Sequence, residues 1–281
     1  MKFQVMVAPN SGFCFGVRRA IEIASEAVAS GEKVSSLGPL IHNPQVIERL
    51  RKAGLEPVEE IGAITGGKVI IRSHGVHPEI MERLLDTDIE VIDATCPLVK
   101  KAQQAAALLS SGGYTVVILG EPNHPEVKGL LGHAPAAMVV DANGDLPNLP
   151  RHARIGLLAQ TTQYPADFRS VVEKLVKNDF EELRVFNTIC NATVIRQKAA
   201  VELAGSVDIM FVLGGRNSAN TNHLAEICRA AGVETHHLET ADELDPACLQ
   251  GYSRVGVTAG ASTPEWLIDQ LVKRLEELSG T

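Results

Sequence analysis

Short apolar runs alternate along the chain with longer stretches in which apolar and polar residues are mixed. Runs such as residues 115–119 and 208–213 are rich in aliphatic side chains and lack regular polar alternation, which is typical of strands buried on both faces of a parallel sheet. Mixed stretches such as residues 264–278 carry leucines at helical spacing. The pattern therefore predicts alternating strands and helices, which is an α/β fold.

The predicted elements repeat three times. In each repeat a strand leads into a cysteine, and the cysteine opens a basic, alanine-rich helical pattern. The three strands are residues 5–8, 89–92 and 183–186, and the cysteines that follow them are Cys14, Cys96 and Cys190.

Polar residues recur at matching distances from these cysteines. Twenty-eight residues after each cysteine, and just past a Leu-Gly pair, lie His42, His124 and Ser218. A later apolar run in each repeat delivers His74, Thr161 and Ser262. Such spacing indicates an internal threefold repeat. We expect three α/β units related by approximate threefold symmetry, at residues 1–92, 93–186 and 187–281, and the last unit ends in a closing helix.

The composition limits the class of ligand. The net charge of −8 and the pI near 5.6 argue against nucleic-acid binding, because no basic patch or RNA-binding signature accompanies them. The recurring polar residues instead follow predicted strands and precede predicted helices. Ligands of parallel sheets bind at the carboxyl ends of strands, and helix N-termini attract anions. The sequence therefore predicts an anionic small-molecule ligand.

The chain carries five cysteines, and its opening residues run into a strand pattern rather than an apolar signal sequence. No apolar run approaches the length of a membrane span. We therefore expect a cytoplasmic protein, in which disulfides are rare and cysteines serve metal binding or catalysis. Cys228 and Cys248 lie outside the repeated positions and are expected to be buried small hydrophobic residues.

The three repeated cysteines point to a metal centre. Each is expected at a helix N-terminus, where the thiolate is favoured, and threefold symmetry would bring the sulfurs together. Three thiolates can hold zinc or three corners of an iron–sulfur cluster whose fourth iron stays open. The cluster is the favoured interpretation, because closed zinc sites usually draw thiolates from Cys-x2-Cys hairpins and the chain contains none.

The remaining polar residues suit an anion and a proton transfer. Imidazole and hydroxyl groups, together with the Asn220 amide, can bind phosphate oxygens through hydrogen bonds. Metal ligation by the histidines is the weaker interpretation, because serine and threonine are poor metal ligands. Glu126 breaks the repeat, with Pro44 and Asn220 at the same offset. It could be a first-turn charge that complements the helix dipole, or a proton donor whose pKa burial raises.

Nine motifs around these residues follow one another along the whole chain: Gly12-Phe-Cys14-Phe-Gly-Val, Leu40-Ile-His42-Asn-Pro, Arg72-Ser-His74-Gly-Val, Asp93-Ala-Thr-Cys96-Pro, Asn123-His124-Pro-Glu126, Gln160-Thr161-Thr, Ile189-Cys190-Asn-Ala-Thr, Asn217-Ser218-Ala-Asn220-Thr and Ala259-Gly-Ala-Ser262. In these motifs the sequence resembles the 4-hydroxy-3-methylbut-2-enyl diphosphate reductase (LytB) family. Ala219 departs from the pattern, because the family often has serine there.

The resemblance implies a trefoil of three α/β units with mostly parallel sheets around a central [4Fe–4S] cluster held by Cys14, Cys96 and Cys190. It implies that Glu126 relays protons and that Thr161 orients Glu126 and the leaving oxygen. An external electron donor such as a ferredoxin or a flavodoxin would supply two electrons, and the allylic diphosphate substrate would lose its hydroxyl group as water. The residues implied to bind the diphosphate are His42, His74, His124, Thr161, Ser218, Asn220 and Ser262.

Two other functions remain open on the residues alone. A quinolinate synthase-like dehydratase shares the three-unit, three-cysteine plan but would bind carboxylates. A non-catalytic cluster protein could sense oxygen or redox state, although the chain has no basic DNA-reading element through which to act.

Overall fold

The structure is a computed structural model that describes residues 2–141, 144 and 146–280. Strands and helices alternate through this part of the chain, as the hydrophobic pattern predicts. The strands are β1 Gln4–Val7, β2 Val34–Leu37, β3 Leu55–Val58, β4 Lys68–Ile71, β5 Glu90–Asp93, β6 Thr115–Leu119, β7 Met138–Val140, β8 Ala153–Ala159, β9 Phe180–Val185, β10 Ile209–Leu213, β11 Glu234–Leu238 and β12 Arg254–Ala259. The helices are α1 Phe15–Ala29, α2 Pro44–Ala53, α3 Pro78–Leu85, α4 Pro97–Ser111, α5 Pro125–His133, α6 Pro165–Val176, α7 Asn191–Ala204, α8 Ala219–Ala230 and α9 Glu265–Ser279.

The described strands form three four-stranded sheets, and all recorded strand pairings are parallel. The first sheet has the order β3-β2-β4-β5, the second β7-β6-β8-β9 and the third β11-β10-β12-β1. The last strand in each order is the one that leads into a repeated cysteine. The expected α/β class with three parallel sheets is therefore confirmed, and β1 completes the sheet of the C-terminal residues.

The two inner strands of each sheet are largely buried, whereas β1, β5 and β9, which lead into the cysteines, are partly exposed edge strands. The second sheet packs against α4 and α5 on one face and against α6 on the other. The third sheet packs against α7 and α8 on one face and α9 on the other. Leu267, Leu271 and Leu275 of α9 are buried in that core, so the closing helix is confirmed as a packing element.

The chain divides into two compact units. The central unit comprises Arg19–Leu40 and Arg49–Cys190 and contains the first and second sheets. The terminal unit comprises Met1–Arg18, Ile41–Glu48 and Asn191–Thr281 and contains the third sheet. The division into residues 1–92, 93–186 and 187–281 stays a prediction. Among the helices of the described residues, none has the length and apolar character that crossing a bilayer requires.

Candidate active site

Each repeated cysteine directly precedes a helix, as the sequence predicts. Cys14 precedes α1, Cys96 precedes α4 and Cys190 precedes α7. The main-chain N–H of each cysteine donates to the carbonyl of the second residue after a central strand. The acceptors are Ala261 for Cys14 at 3.1 Å, Ser73 for Cys96 at 2.9 Å and Thr161 for Cys190 at 2.9 Å. The three cysteines are thus held by equivalent hydrogen bonds.

A short polar residue three positions earlier shapes the turn before each cysteine. Asp93 accepts from the Thr95 N–H at 2.9 Å, and Asn187 accepts from the Ile189 N–H at 3.2 Å. Ser11 takes the corresponding place and donates its hydroxyl to the Ala8 carbonyl at 2.7 Å. These local bonds favour a tight turn over further strand. The turn delivers each cysteine to the helix start.

The three cysteines are partly buried, and none of them forms a disulfide. The Val17 N–H of α1 donates to the Cys14 sulfur at 3.5 Å, so this sulfur receives an N–H from the helix start. Helix N-termini stabilise thiolates, which are the form that binds metals. Cys228 is fully buried, as expected, and burial raises its pKa to about 11, which keeps it a thiol. Cys248 is only partly buried, because it lies on a short turn against the edge of the core.

The polar residues after the Leu-Gly pairs lie at helix starts, but not at identical places. His124 caps α5 by accepting the Glu126 N–H on Nδ1 at 3.2 Å, and Ser218 caps α8 by accepting the Thr221 N–H at 3.3 Å. In α2 the corresponding cap is Asn43, which accepts the Val46 N–H at 3.0 Å, so His42 lies one residue earlier.

This shift corrects one expectation about the repeat. Glu126 and Asn220 are the second residues of their helices, and the second residue of α2 is Gln45. The structural counterpart of Glu126 in the first repeat is therefore Gln45 and not Pro44. The reason is that the loop before α2 is one residue longer than the loops before α5 and α8.

The Glu126 carboxyl group is buried and held by one residue. Only 1% of Glu126 is exposed, and Thr161 donates its N–H to Oε1 at 2.6 Å and its hydroxyl to Oε2 at 2.8 Å. Burial raises the pKa of Glu126 to about 7, although the two hydrogen bonds from Thr161 act in the opposite direction. A carboxyl group with this pKa can hold or release a proton near neutral pH.

Asn220 makes the equivalent hydrogen bond without a charge. Its Oδ1 accepts the N–H of Ala261 at 2.8 Å, and Ala261 occupies the place that Thr161 has in the second sheet. The Asn220 Nδ2 is buried and has no hydrogen-bond acceptor among the described residues. It is therefore a donor that a ligand could satisfy.

The two compact units carry the predicted site residues as two sets. In the central unit the rings of His74 and His124 lie edge to face with centroids 5.5 Å apart, and His124 also accepts the Glu126 N–H. In the terminal unit the Ser262 hydroxyl donates to the His42 carbonyl at 2.9 Å. The central set is His74, Cys96, His124, Glu126, Thr161 and Cys190, and the terminal set is Cys14, His42, Ser218, Asn220 and Ser262.

Gln160 belongs to one of the nine motifs, but sequence reasoning assigned it no role; it connects two loops of the central unit. Gln160 is fully buried, accepts the Glu121 N–H at 2.9 Å and donates to the Thr162 hydroxyl at 2.9 Å. It thereby ties the loop that leads to Glu126 to the turn that carries Thr161. Its position directly after the apolar run of β8 was the available signal. His74 and Ser262 are each the third residue after the equivalent strands β4 and β12. The third residue after β8 is Thr162, so Thr162, and not Thr161, is their structural counterpart in the second repeat.

Known proteins match this chain over nearly its full length. Residues 5–276 match the family described as LytB protein. The 4-hydroxy-3-methylbut-2-enyl diphosphate reductase of Geobacter sp. (strain M21) is 48% identical over 277 residues, and that of Geobacter metallireducens is 47% identical over 276 residues; each alignment covers 98% of both chains.

Two solved structures are also similar. The (E)-4-hydroxy-3-methyl-but-2-enyl diphosphate reductase described as the terminal enzyme of the non-mevalonate pathway is 41% identical, with a TM-score of 0.69 and coverage of 97% of this chain and 99% of its own. The E-1-hydroxy-2-methyl-but-2-enyl-4-diphosphate reductase from Plasmodium falciparum is 29% identical, with a TM-score of 0.92 and coverage of 98% and 89%. The chain belongs to the LytB protein family.

Proposed function

We propose that this protein reduces 4-hydroxy-3-methylbut-2-enyl diphosphate to isopentenyl diphosphate and dimethylallyl diphosphate, the last step of the methylerythritol phosphate (non-mevalonate) route. The substrate's allylic C–O bond breaks, and two electrons and two protons are consumed as one water leaves. The observation that carries this proposal is the buried Glu126 carboxyl group held by Thr161, whose carbonyl also holds Cys190. Full-length similarity to named reductases supports the same reaction.

The donor set suits a [4Fe–4S] cluster. Cys14, Cys96 and Cys190 form no disulfide, and each lies at a helix N-terminus and is fixed by a main-chain hydrogen bond. Three thiolate ligands leave one iron of a cubane cluster open to a substrate. When bound, the cluster would supply the two electrons, one at a time, and a Lewis-acidic iron for the substrate hydroxyl group.

Glu126 would supply protons to the leaving oxygen. With a pKa of about 7 it is protonated in a large fraction of molecules at neutral pH. Thr161 fixes the direction of the carboxyl group, because a side chain held at both oxygens cannot rotate freely. Positioning of this kind is what general acid catalysis requires.

Neutral donors and helix starts would hold the diphosphate. His124 and Ser218 cap α5 and α8, so a phosphate bound beside them would also face helix N-termini. Asn220 contributes a buried amide N–H group without an acceptor, and Ser262 would rotate its hydroxyl from the His42 carbonyl to the ligand. The full set that we propose is His42, His74, His124, Thr161, Ser218, Asn220 and Ser262.

The electrons would come from an external donor such as a ferredoxin or a flavodoxin. We place the protein in the cytoplasm, because a reducing compartment keeps cysteine ligands free of disulfides. We also propose three repeat units, at residues 1–92, 93–186 and 187–281, and the shared strand order of the three sheets supports this division.

Anaerobic turnover tests the proposal. The protein, reconstituted with iron and sulfide and supplied with a reduced viologen, should convert the allylic diphosphate to both five-carbon products, which mass spectrometry distinguishes from substrate. A protein that takes up the cluster but leaves this substrate unchanged would overturn the proposal. Turnover of a dicarboxylate instead would favour the dehydratase interpretation.

A further inference from the structure

Arg196 is a buried charge that the proposed mechanism does not use. Among the described Asp, Glu, Lys and Arg residues, only Glu126 and Arg196 are buried, and Arg196 is 3% exposed. It lies in the second turn of α7, the helix that follows Cys190. A buried guanidinium group is costly unless hydrogen bonds satisfy it. The position of those bonds therefore indicates what the charge is for.

The guanidinium group reaches the loop before Cys14. Its Nη2 donates to the Gly12 carbonyl at 2.7 Å, and its Nη1 donates to the Ala192 carbonyl of its own helix at 3.4 Å. The first bond joins residues 184 positions apart in the sequence. It is short and involves a charged donor, which makes it one of the stronger classes of hydrogen bond.

The conformation and the close neighbours of Gly12 favour glycine at this position. Its φ of +93° lies in the region that favours glycine, and an added Cβ would lie 3.3 Å from the Thr263 carbonyl oxygen and 3.2 Å from the Ile268 side chain. The Gly12 peptide is therefore confined by its own conformation and by α9. Arg196 fixes the remaining freedom, which is the direction of the carbonyl.

Two further bonds act on Cys14 itself. Its N–H donates to the Ala261 carbonyl at 3.1 Å, and its sulfur accepts the Val17 N–H at 3.5 Å. Together with the bond from Arg196 to Gly12, these contacts fix the segment on both sides of the sulfur. Cys96 and Cys190 follow turns anchored by Asp93 and Asn187, whereas the longer turn before Cys14 receives this additional anchor.

We propose that Arg196 is the positioning residue of the Cys14 ligand and that its fixed positive charge favours the reduced form of the bound cluster. This inference rests on the proposed iron–sulfur function. Residues that orient metal ligands without touching the metal commonly change affinity or activity by 10- to 100-fold when mutated. Reduction adds negative charge to a cluster, and nearby charge and hydrogen bonding set its potential. Arginine keeps its charge at any relevant pH.

Two substitutions separate position from charge. Arg196→Met removes both the charge and the bond to Gly12. Arg196→Lys keeps the charge, but its single ammonium group cannot donate to the carbonyls of Gly12 and Ala192 in the geometry of the planar guanidinium group. Lys198→Met is the matched control, since it removes a cation from the exposed side of the same helix, where Lys198 faces Glu202 at 3.8 Å.

The readouts are iron release to a chelator and the cluster's reduction potential, with thermal unfolding of the cluster-free protein as a measure of general stability. Arg196→Met should lose iron about tenfold faster or more. Its reduction potential should fall by about 59 mV, which is a tenfold change in the equilibrium constant of a one-electron reduction. Arg196→Lys should release iron faster than the wild type but keep a potential near it. Lys198→Met should match the wild type in both.

The inference is overturned if both Arg196 variants match the wild type in iron release and potential. It is also overturned if Arg196→Met lowers only the unfolding temperature, since that pattern marks ordinary packing. If Arg196→Met is insoluble, Arg196→Lys decides the positioning role through iron release alone. A wild-type protein that takes up no cluster contradicts the proposed function and this inference together, whereas a loaded wild type with unaffected variants contradicts this inference only.

Discussion

Thr161 donates both its main-chain N–H and its hydroxyl to the buried carboxyl group of Glu126, over 2.6 and 2.8 Å. Its carbonyl accepts the N–H of Cys190 at 2.9 Å. One residue therefore joins the candidate proton donor to a candidate cluster ligand. Burial raises the pKa of Glu126 to about 7 against the opposing effect of the two hydrogen bonds. In the proposed function, Thr161 would therefore couple proton delivery to the position of the cluster.

Glu126→Gln should abolish proton delivery while it keeps the shape of the site. An amide retains size and hydrogen-bonding capacity but cannot release a proton at this pH. Turnover should fall by about 10²-fold or more, the scale of lost general acid catalysis, while iron content and a substrate-induced spectral change persist.

Glu79→Gln serves as the control for that experiment. Glu79 is the exposed second residue of α3, where His77 accepts its N–H as His124 accepts that of Glu126, so its substitution should leave turnover near the wild-type rate. If Glu126→Gln also turned over near that rate, Glu126 would be a structural carboxyl group and not the proton donor.

The raised pKa of Glu126 also predicts how stability depends on pH. Between the ordinary glutamate value of 4.5 and about 7, the folded cluster-free protein retains a proton that the unfolded chain has released. The stabilisation that Glu126 provides is therefore fully present below pH 4.5 and is lost as the pH rises through 7. This difference between the folded and unfolded pKa values corresponds to about 3 kcal/mol in the free energy of unfolding.

Urea unfolding of the cluster-free protein at pH 5 and pH 8 measures that loss against Glu126→Gln, which has no ionisable group at this position. The wild type should lose about 2 to 3 kcal/mol more of its free energy of unfolding than the variant between these pH values, because a part is already lost at pH 5. Parallel curves for the two proteins would show that Glu126 is not buried as a neutral acid.

Thr161→Val should shift the pH dependence of turnover. The valine keeps the main-chain hydrogen bond to Glu126 but removes the one from the hydroxyl group. Because the hydroxyl bond lowers the pKa of Glu126, its removal should raise that pKa. The alkaline limb of the pH–rate profile should therefore move upward, by about one pH unit for a lost bond to a charged group. Thr161→Ser retains a hydroxyl and should leave the limb near its original place. A limb that stays fixed in Thr161→Val, or moves downward, would contradict the role assigned to this hydroxyl.

The repeat predicts which cysteines hold the cluster. Replacing Cys14, Cys96 or Cys190 singly with serine should remove most bound iron, because three ligands are the minimum for an open cubane site. Cys228→Ala and Cys248→Ala should retain it, since neither lies at a helix start of the repeat. Iron and sulfide analysis after anaerobic reconstitution decides the matter, and equal iron in all five variants would refute the assignment.

The α9 helix should contribute stability without a catalytic role. Leu271 is fully buried against the third sheet, so Leu271→Ala should destabilise the protein by about 3 kcal/mol. The exposed Lys273→Ala in the same helix should change stability by about 0.5 kcal/mol or less. Denaturant unfolding of the two variants tests this, and a catalytic defect in a fully stable Leu271→Ala protein would contradict it.

The sequence predicted the fold better than the contacts of the candidate site residues. The cysteine spacing revealed the repeat because strand, turn and helix start have the same order in each unit. The start of α2 at Pro44 was predicted correctly, but pairing Pro44 with Glu126 was wrong by one residue, because counting from cysteines cannot detect a loop extended by a single position. Strand β3 escaped prediction because Pro57 interrupts its pattern; a proline is tolerated there because β3 lies at a sheet edge.

Tertiary contacts explain what sequence reasoning missed. In the sequence Arg196 is one of several cations in a basic helical pattern. Only the structure shows that its side chain is buried and donates to the Gly12 carbonyl. An exposed first-turn charge was the weaker interpretation of Glu126, and only the structure shows that its carboxyl group is buried and bonded to Thr161, 35 residues later. The pairing of Asn220 with Ala261 likewise depends on two loops brought together by the third sheet.

Cys14, Cys96 and Cys190 are proposed to hold a cluster with one iron open to the allylic diphosphate. Mössbauer spectroscopy of the iron-57 reconstituted protein, recorded anaerobically with and without that diphosphate, distinguishes such an iron from the other three. We expect a [4Fe–4S] spectrum in which one iron of four is distinct and changes when the diphosphate is added. A cluster whose four irons are equivalent and unaffected by the diphosphate would contradict this proposal.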